Sequence, residues 1–164
     1  MASLRADIID GMLADAGISA IVSNRIFPII FTFEDMQNNG PNKYKFPMIT
    51  VEMLSREQEN NLTVHDHLYN ASLQISLYWE VKTNQFRSRV NAPIVAARTA
   101  IRNNLDTLYD AVETYLRDTI RGAVIGDHNI RNSHIQNTVE EEFRIDKNRT
   151  IISDRLNYVC TFSK

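Results

Sequence analysis

The chain has 164 residues, of which 43% are hydrophobic and 23% are charged, and it contains five glycines and four prolines. A chain of this length can bury roughly two thirds of the surface that its unfolded form exposes, so one core suffices. The composition excludes fibrous and low-complexity proteins and predicts a single globular domain over residues 1–164.

The formal net charge is −2. A protein that holds DNA through its phosphates needs clustered lysines and arginines, because binding is driven by the release of counterions. The arginines between residues 87 and 102 span several faces of a predicted helix and are offset by acidic residues, so a solvated helix surface is expected rather than a nucleic-acid groove. They are Arg87, Arg89, Arg98 and Arg102.

Cys160 is the only cysteine, which excludes an intrachain disulfide and predicts a buried thiol in a protein of a reducing cytoplasm. Charged residues interrupt the apolar residues at the start of the chain, so we expect neither a secretory signal nor a membrane helix there. They are Arg5, Asp7, Asp10 and Asp15.

The first predicted element is an amphipathic helix that begins after Ser3, a suitable N-cap, and stops at Gly17. Its apolar residues recur at helical spacing: Leu4, Ile8, Ile9, Met12 and Leu13. A short apolar turn over residues 18–24 and an extended stretch over residues 25–28 follow. The Asn-rich segment 34–45 is predicted to be a loop.

Residues 46–54 and 69–81 are predicted strands, because apolar and polar residues alternate in both. The longer strand places its apolar residues on one face: Tyr69, Ala71, Leu73, Ile75, Leu77, Trp79 and Val81. The polar segment between these strands, from Arg56 to His67, is interpreted as either a long hairpin arm or a mobile loop.

Two helices are predicted next, the first within residues 84–104 and the second over residues 106–121, with Pro93 at a helix start or a kink. In the second, apolar residues recur at intervals of three or four: Leu105, Leu108, Val112, Leu116 and Ile120. Residues 122–133 are predicted to be a connection.

The last thirty residues are predicted to form an antiparallel hairpin with its turn at residues 146–149. One phase of its first strand carries Ile135, Val139, Phe143 and Ile145, and one phase of its second carries Leu156, Tyr158, Cys160 and Phe162. The order of helix, strands, two helices and strands predicts the α+β class, with an antiparallel sheet and helices packed mainly on one face.

The sequence contains no glycine-rich phosphate loop, nucleophile elbow or CxxC pair, so no catalytic residue and no cofactor is predicted. The best candidate for a metal site is His65-Asp66-His67, because alternate residues of a strand point the same way, with His128 and His134 as further candidates. An isolated HxH lacks the three or four ligands that a metal site needs. Solvated histidines in a polar loop are therefore the favoured interpretation, and no metal ligand is assigned.

Glu140-Glu141-Glu142 is a candidate carboxylate cluster for acid–base chemistry. On a strand, Glu140 and Glu142 share one face while Glu141 points to the other, and nothing supplies the apolar pocket that would raise one pKa. A solvated edge or a charged lumen is therefore expected. Trp79 is predicted to lie in the core, whereas Tyr78 faces the other side and is a candidate contact with a neighbouring subunit.

Four segments carry a resemblance to a known family: the opening helix with Leu4, Ile8 and Leu13; Ile21-Val-Ser-Asn-Arg-Ile-Phe-Pro28; Phe46-Pro-Met-Ile-Thr-Val51; and Leu73-Gln-Ile-Ser-Leu-Tyr-Trp-Glu-Val81 followed directly by a helix. In their order they resemble the tail-terminator, or tail-completion, proteins of long-tailed bacteriophages. They cover roughly the first half of the chain, and the second half matches the family in element type.

The resemblance implies a non-enzymatic virion protein that forms a hexameric ring at the head-proximal end of the tail tube. Such a ring ends tube polymerisation and offers the surface to which the filled head is joined. The implied partners are copies of itself, the tail-tube protein and a head–neck or connector protein, with no membrane, while DNA passes through the lumen without specific binding. The implied location is the virion, after assembly in the bacterial host cytoplasm.

A ring of identical subunits repeats one heterologous contact, so each subunit needs two different complementary surfaces. The polar segment after Arg56 and the hairpin end at residues 146–149 are expected to reach a neighbour. Two other functions stay open at this point. One is another neck, connector or tail-tube subunit of the same kind of particle, and the other is a small cytosolic metal-binding α+β domain that uses His65 and His67.

Overall fold

The computed structural model describes residues 3–38, 44–58, 68–82, 92–146 and 149–164. Its helices are α1 (Leu4–Ala14), α2 (Ala16–Val22), α3 (Phe33–Gln37) and α4 (Ala92–Thr114), and α4 runs into a π-helical turn at Tyr115–Thr119. Its strands are β1 (Ile26–Phe27), β2 (Met48–Gln58), β3 (Leu68–Lys82), β4 (Val124–Ile125), β5 (His128–Arg144) and β6 (Arg149–Ser163).

The strands form one six-stranded sheet in the order β1-β2-β3-β6-β5-β4. All neighbouring strands are antiparallel except the two-residue pair of β1 with β2, which is parallel. The α+β class is therefore confirmed, as is the antiparallel sheet that carries helices mainly on one face.

The main core lies between that face of the sheet and the helices α1, α2 and α4. The apolar phases predicted for β3 and β6 meet there, since Leu73 pairs with Tyr158 and Ile75 with Leu156, and all four side chains are fully buried. Burying an aliphatic side chain contributes about 1.5–3 kcal/mol, so these paired rows are a large part of what holds the helices to the sheet. Trp79 packs against this core, as predicted.

A second, smaller cluster lies on the opposite face, near the start of β2. It consists of Phe31, Met36, Met48, Tyr78 and Ile151. The rings of Phe31 and Tyr78 meet edge to face with their centroids 5.2 Å apart, an arrangement that the charge distribution of aromatic rings favours. Tyr78 is only 3% exposed, so the prediction that it contacts a neighbouring subunit is wrong. The α3 segment of the same chain covers it.

The N-terminal helix begins as predicted, because the Ser3 hydroxyl accepts a hydrogen bond from the backbone N–H of Ala6. It ends at Ala14, earlier than the predicted stop at Gly17. The Asp15 carboxylate accepts hydrogen bonds from the N–H groups of Gly17 and Ile18 and thereby caps a new helix, α2. The apolar turn predicted over residues 18–24 is therefore mostly helical, because an Asp cap outweighs the glycine that follows it.

The loop predicted over residues 34–45 overlaps a short helix, α3. Thr32 and Asp35 form a capping box that starts it, and such reciprocal bonds satisfy two backbone donors that a helix start otherwise leaves unpaired. Of the predicted polar segment, residues 56–58 extend β2 and residues 59–67 lie outside the described part of the chain.

One long helix, α4, replaces the two predicted between residues 84 and 121; residues 83–91 are not described. Leu105, Leu108 and Val112 of α4 face the main core, as does Leu116 of the π-helical turn. Asn103, Asn104 and Asp106 do not break α4, because polar residues on an exposed helix face cost only a fraction of a kcal/mol each. Pro93 lies in its first turn, where proline is tolerated.

The predicted hairpin is present, but the apolar face predicted for its first strand is wrong. Ile135 pairs with Tyr158 on the helix-covered face, whereas Val139 pairs with Arg155 and Phe143 with Ile151 on the opposite face. A bulge at Gln136 adds one residue to β5 and so reverses the phase of the residues that follow.

Gly11 of α1 lies directly against Tyr115, and a Cβ at position 11 would overlap the tyrosine hydroxyl. That hydroxyl is buried and finds no hydrogen-bond partner among the described residues, and burial raises the pKa of Tyr115 to about 12. Gly11→Ala is expected to lower the free energy of unfolding by about 1–3 kcal/mol through overpacking. In the Tyr115→Phe background the same change is expected to cost much less, which a double-mutant cycle by urea denaturation measures. Equal costs in both backgrounds would contradict this close approach.

Candidate functional site

The face of the sheet that the main helices do not cover is lined largely by uncharged polar side chains. They include Asn70, Ser72 and Gln74 of β3, Asn157 and Thr161 of β6, and Asn132 and Asn137 of β5. They hydrogen-bond across the strands, with 2.7 Å from the Thr161 hydroxyl to the Asn70 side-chain oxygen. On the two strands β5 and β6, Arg155 and Glu141 pair with each other at 2.6 Å. We call this surface the open face.

Among the residues that the structure describes, both long edges of the sheet are left uncovered over most of their length. The short β1 pairs only with Ile49 and Thr50 of β2, and the short β4 pairs only with the first two residues of β5. In the described part of the chain, no strand lies on the outer side of residues 51–57 of β2 or residues 132–144 of β5. We call these segments the β2 edge and the β5 edge. Edge strands present unpaired backbone donors and acceptors, which makes them templates for another strand.

An exposed leucine marks the β2 edge. The register of β2 against β3 shifts between Met53 and Ser55, so Leu54 is the extra residue of a bulge. Its side chain is 49% exposed. Bulges at sheet edges re-aim a side chain, and here the bulge turns an aliphatic one towards solvent.

A groove of about 250 Å³ lies along the β5 edge, against the end of α4 and its π-helical turn. Its apolar lining comes from Leu116, Ile135 and Tyr158, and its charged lining comes from Glu113, Arg117 and Arg121. Burial raises the pKa of the Tyr158 phenol, and the Ser133 hydroxyl acts in the opposite direction.

The predicted carboxylate cluster is split between the two faces as expected, since Glu140 and Glu142 pair with Asp154 and Ile152 while Glu141 pairs with Ser153. On the helix-covered face Glu140 is part of an ion-pair network and not merely solvated. Its carboxylate lies 2.8 Å from the Arg102 guanidinium.

Arg102 is the centre of that network, which corrects its interpretation as part of a solvated helix surface. Besides Glu140 it contacts Asp106 at 3.0 Å and Asp154 at 3.1 Å. Burial raises the pKa of the Asp154 carboxyl, and the charge and hydrogen bonds of Arg102 act in the opposite direction. Arg87, Arg89 and the side chain of Arg98 lie outside the described residues.

The histidines proposed as a metal site are not brought together where the structure describes them. His128 is fully buried, and its Nδ1 lies 2.6 Å from the Asp7 carboxylate. His134 is exposed on the open face, on the other side of the sheet. His65 and His67 lie outside the described residues. Within the described ranges, no group of three or more His, Cys, Asp or Glu side chains is arranged to hold a metal ion.

Cys160 is buried in the main core, which confirms the predicted buried thiol. Burial raises the pKa of the thiol to about 12. Thiolate is the reactive form of cysteine, so this thiol is inert in the folded chain.

Sequence reasoning missed two long-range contacts, the buried Asp7–His128 hydrogen bond and the part-buried Arg102–Asp154 ion pair. Asp7 and His128 are 121 residues apart, and Arg102 and Asp154 are 52 apart. Both contacts could have been suspected from a charged residue among positions predicted to be buried. Asp7 lies beside Ile8 on the buried side of α1, and Asp154 lies on the same face of β6 as Leu156. Buried charges need partners, but the sequence does not say which.

No helix in the described ranges has both the length and the apolar character that crossing a membrane requires. No protein-family model matches the chain, and no curated protein matches it. Among solved structures, the chain is similar to a chain of "Virion of native gene transfer agent (GTA) particle", with 14% sequence identity and a TM-score of 0.45 over 99% of this chain and 96% of that chain. A likeness of this size assigns neither a family nor a function to the chain.

Proposed function

We propose that this chain is a structural virion protein that forms a hexameric ring at the head-proximal end of a phage tail tube. The ring ends tube polymerisation and provides the surface to which the head is joined. The sequence resemblance to tail-terminator proteins supports this role, and so does a fold whose exposed features are extended edges and a polar face.

The observation that carries the proposal is the pair of exposed edges on opposite sides of one sheet. A ring needs a contact between two different surfaces of the same subunit that closes after a fixed number of copies. The β2 edge and the β5 edge differ in sequence and lie at the two ends of the strand order. The two edges therefore supply two different surfaces, whereas a single self-complementary patch would give only a symmetric dimer.

The chemistry of the open face suits a channel through which DNA slides. Tight binding to the phosphates of DNA requires many Lys or Arg contacts that release counterions. The open face presents mainly amides and hydroxyls, its Arg155 is paired with Glu141, and Arg131 shares the face with Glu52 and Glu57. A net charge of −2 for the whole chain adds no general attraction. We therefore assign the open face to the lumen of the proposed ring.

The test is to interrupt the reading frame of this chain in the genome that encodes it and to image the particles that form. Tubes that grow beyond the normal tail length and carry no head are expected, because nothing then stops polymerisation. Tubes of normal length without heads would contradict the terminator role and favour a neck or connector subunit. The absence of any tube would contradict it in favour of a tail-tube subunit.

A further inference from the structure

We infer that neighbouring copies join edge to edge, with the β2 edge of one copy pairing as a strand with the β5 edge of the next and Leu54 entering the groove beside it. This inference rests on the proposed ring. It adds the surfaces, the register and the anchoring side chain, and its occupant is a second copy of this chain.

The β2 edge and the β5 edge both have backbone N–H and C=O groups that a further strand could pair with. A strand edge is satisfied by another strand, which supplies backbone bonds along its length while alternate side chains supply specificity. Counting along the sheet, β2 runs antiparallel to β3, β3 to β6 and β6 to β5. β2 and β5 therefore run in opposite directions, so a copy placed beside the sheet in the same orientation brings its β2 antiparallel to β5.

Leu54 and the groove lie at the same level along the strands, on opposite edges of the sheet. Met53 pairs with Leu73, Leu73 with Tyr158, and Tyr158 with Ile135. This row crosses the sheet from the Leu54 bulge on one edge to the groove on the other. The bulge at Gln136 lies beside the same row. A neighbour that continues the sheet without a change of level therefore brings Leu54 to the groove.

Leu54 also fits the groove in size. A cavity of ~150 Å³ lined by apolar side chains accepts a benzene molecule, so a groove of about 250 Å³ has room for the four carbons of a leucine side chain. Of its apolar lining, Ile135 is partly exposed, while Leu116 and Tyr158 lie fully buried beneath it. Leu54 is one of the few large hydrophobic side chains that the described residues leave exposed.

The charges near Leu54 and around the groove also differ in sign. The β2 edge carries Glu52, Arg56 and Glu57, a net charge of −1. The groove is lined by Arg117 and Arg121 against Glu113, a net charge of +1. The opposite signs favour docking of the Leu54 segment at the groove, whereas the far end of the β5 edge, with Glu140, Glu141, Glu142 and Arg144, carries a net charge of −2. A symmetric pairing of two β5 edges would instead place two arginine-lined grooves face to face and leave both copies of Leu54 in solvent.

The experiment uses the full chain and two kinds of variant. Cysteine at Ser55 is combined in turn with cysteine at Asn132, His134 or Asn137, which share the open face at neighbouring levels of the β5 edge. Each pair is oxidised and run on a non-reducing denaturing gel, beside the four single variants. A ladder of linked chains is expected for the Ser55→Cys, His134→Cys pair and not for the single variants.

Leu54→Asp is the second variant, and Ile30→Asp is its matched control because Ile30 is an aliphatic residue that is 60% exposed elsewhere on the surface. Leu54→Asp is expected to raise the concentration at which half of the chains assemble by roughly 10- to 100-fold, from the lost apolar burial alone. Ile30→Asp is expected to leave it unchanged. Circular dichroism and thermal unfolding confirm that both variants fold.

The outcomes separate this inference from the proposed function. Rings that form in the wild type, give no heterologous cross-link at any of the three levels and survive Leu54→Asp contradict the edge pairing alone. Cross-links that form only between like positions contradict it in favour of a symmetric contact. A wild-type chain that never assembles contradicts the ring and the edge pairing together.

Discussion

Replacing Arg102 with methionine is expected to lower the free energy of unfolding by about 2–4 kcal/mol, less than for a fully buried ion pair because the Arg102 side chain is 32% exposed. Asp154 is 1% exposed, and its carboxylate forms an ion pair with Arg102 at 3.1 Å. Without the guanidinium, Asp154, Asp106 and Glu140 are left as three carboxylates around one empty position. Chemical denaturation at pH 7 measures the loss.

The matched control is Asp154→Asn, which keeps the shape and removes the charge. Because burial opposes ionisation of Asp154 more strongly than Arg102 favours it, this change is expected to cost far less than Arg102→Met. The double variant is expected to recover much of the stability that Arg102→Met loses, since no buried charge is left unpaired. A double variant as unstable as Arg102→Met would contradict this account.

The pH dependence of the Arg102→Met variant follows from the raised pKa of Asp154. A carboxyl with a higher pKa in the folded chain binds its proton more tightly there, so it costs stability as the pH rises above its unfolded pKa. Removing Arg102 takes away the interaction that lowers this pKa. The stability gap between wild type and variant is therefore expected to narrow as the pH falls and Asp154 becomes protonated.

Gly126→Ala is expected to be the second large effect, at about 2–5 kcal/mol. Gly126 has φ of +53°, and a Cβ there would overlap the Asp7 carboxylate. The left-handed backbone costs a non-glycine residue about 1–2 kcal/mol. Displacing Asp7 from His128 leaves buried polar groups without their hydrogen bond, which costs about 1–3 kcal/mol.

Gly122→Ala separates these two contributions. Gly122 also has positive φ, +75°, but a Cβ there would meet nothing within 4 Å. It is expected to lose only the backbone contribution, about 1–2 kcal/mol. Urea denaturation of both variants gives the difference, and equal losses would show that Gly126 does not make room for the Asp7–His128 pair.

The strands were predictable because a buried face imposes alternation. In β6, Leu156, Tyr158, Cys160 and Phe162 were assigned to one phase and are all fully buried. Where a bulge inserts a residue, as at Gln136, alternation gives the wrong face for everything beyond it, and no local sequence signal marks the insertion. Tyr78 shows a different limit, since the polar phase of β3 is covered at one end by Phe31 and Met36, which belong to a segment far earlier in the chain.

The sequence predicted the type of candidate site but not the residues that form it. The resemblance and the polar strand faces indicated that surfaces rather than a pocket matter. Which edges are left exposed depends on the strand order, because β6 lies between β3 and β5 and the two short strands cover only the ends of β2 and β5. Leu54 follows Thr50 and Glu52 in the alternation of its segment, so the sequence places it away from the core, but only the register shift shows that it is the extra residue of a bulge.

Native mass spectrometry of the purified chain over a range of concentrations tests the central claim most directly. Closed assembly predicts one dominant species, about 113 kDa for six copies of an 18.9-kDa chain, with few intermediates because a closed ring satisfies every edge at once. A chain that stays at 18.9 kDa at every concentration, or that forms an unbroken series of ever larger oligomers, would contradict the ring.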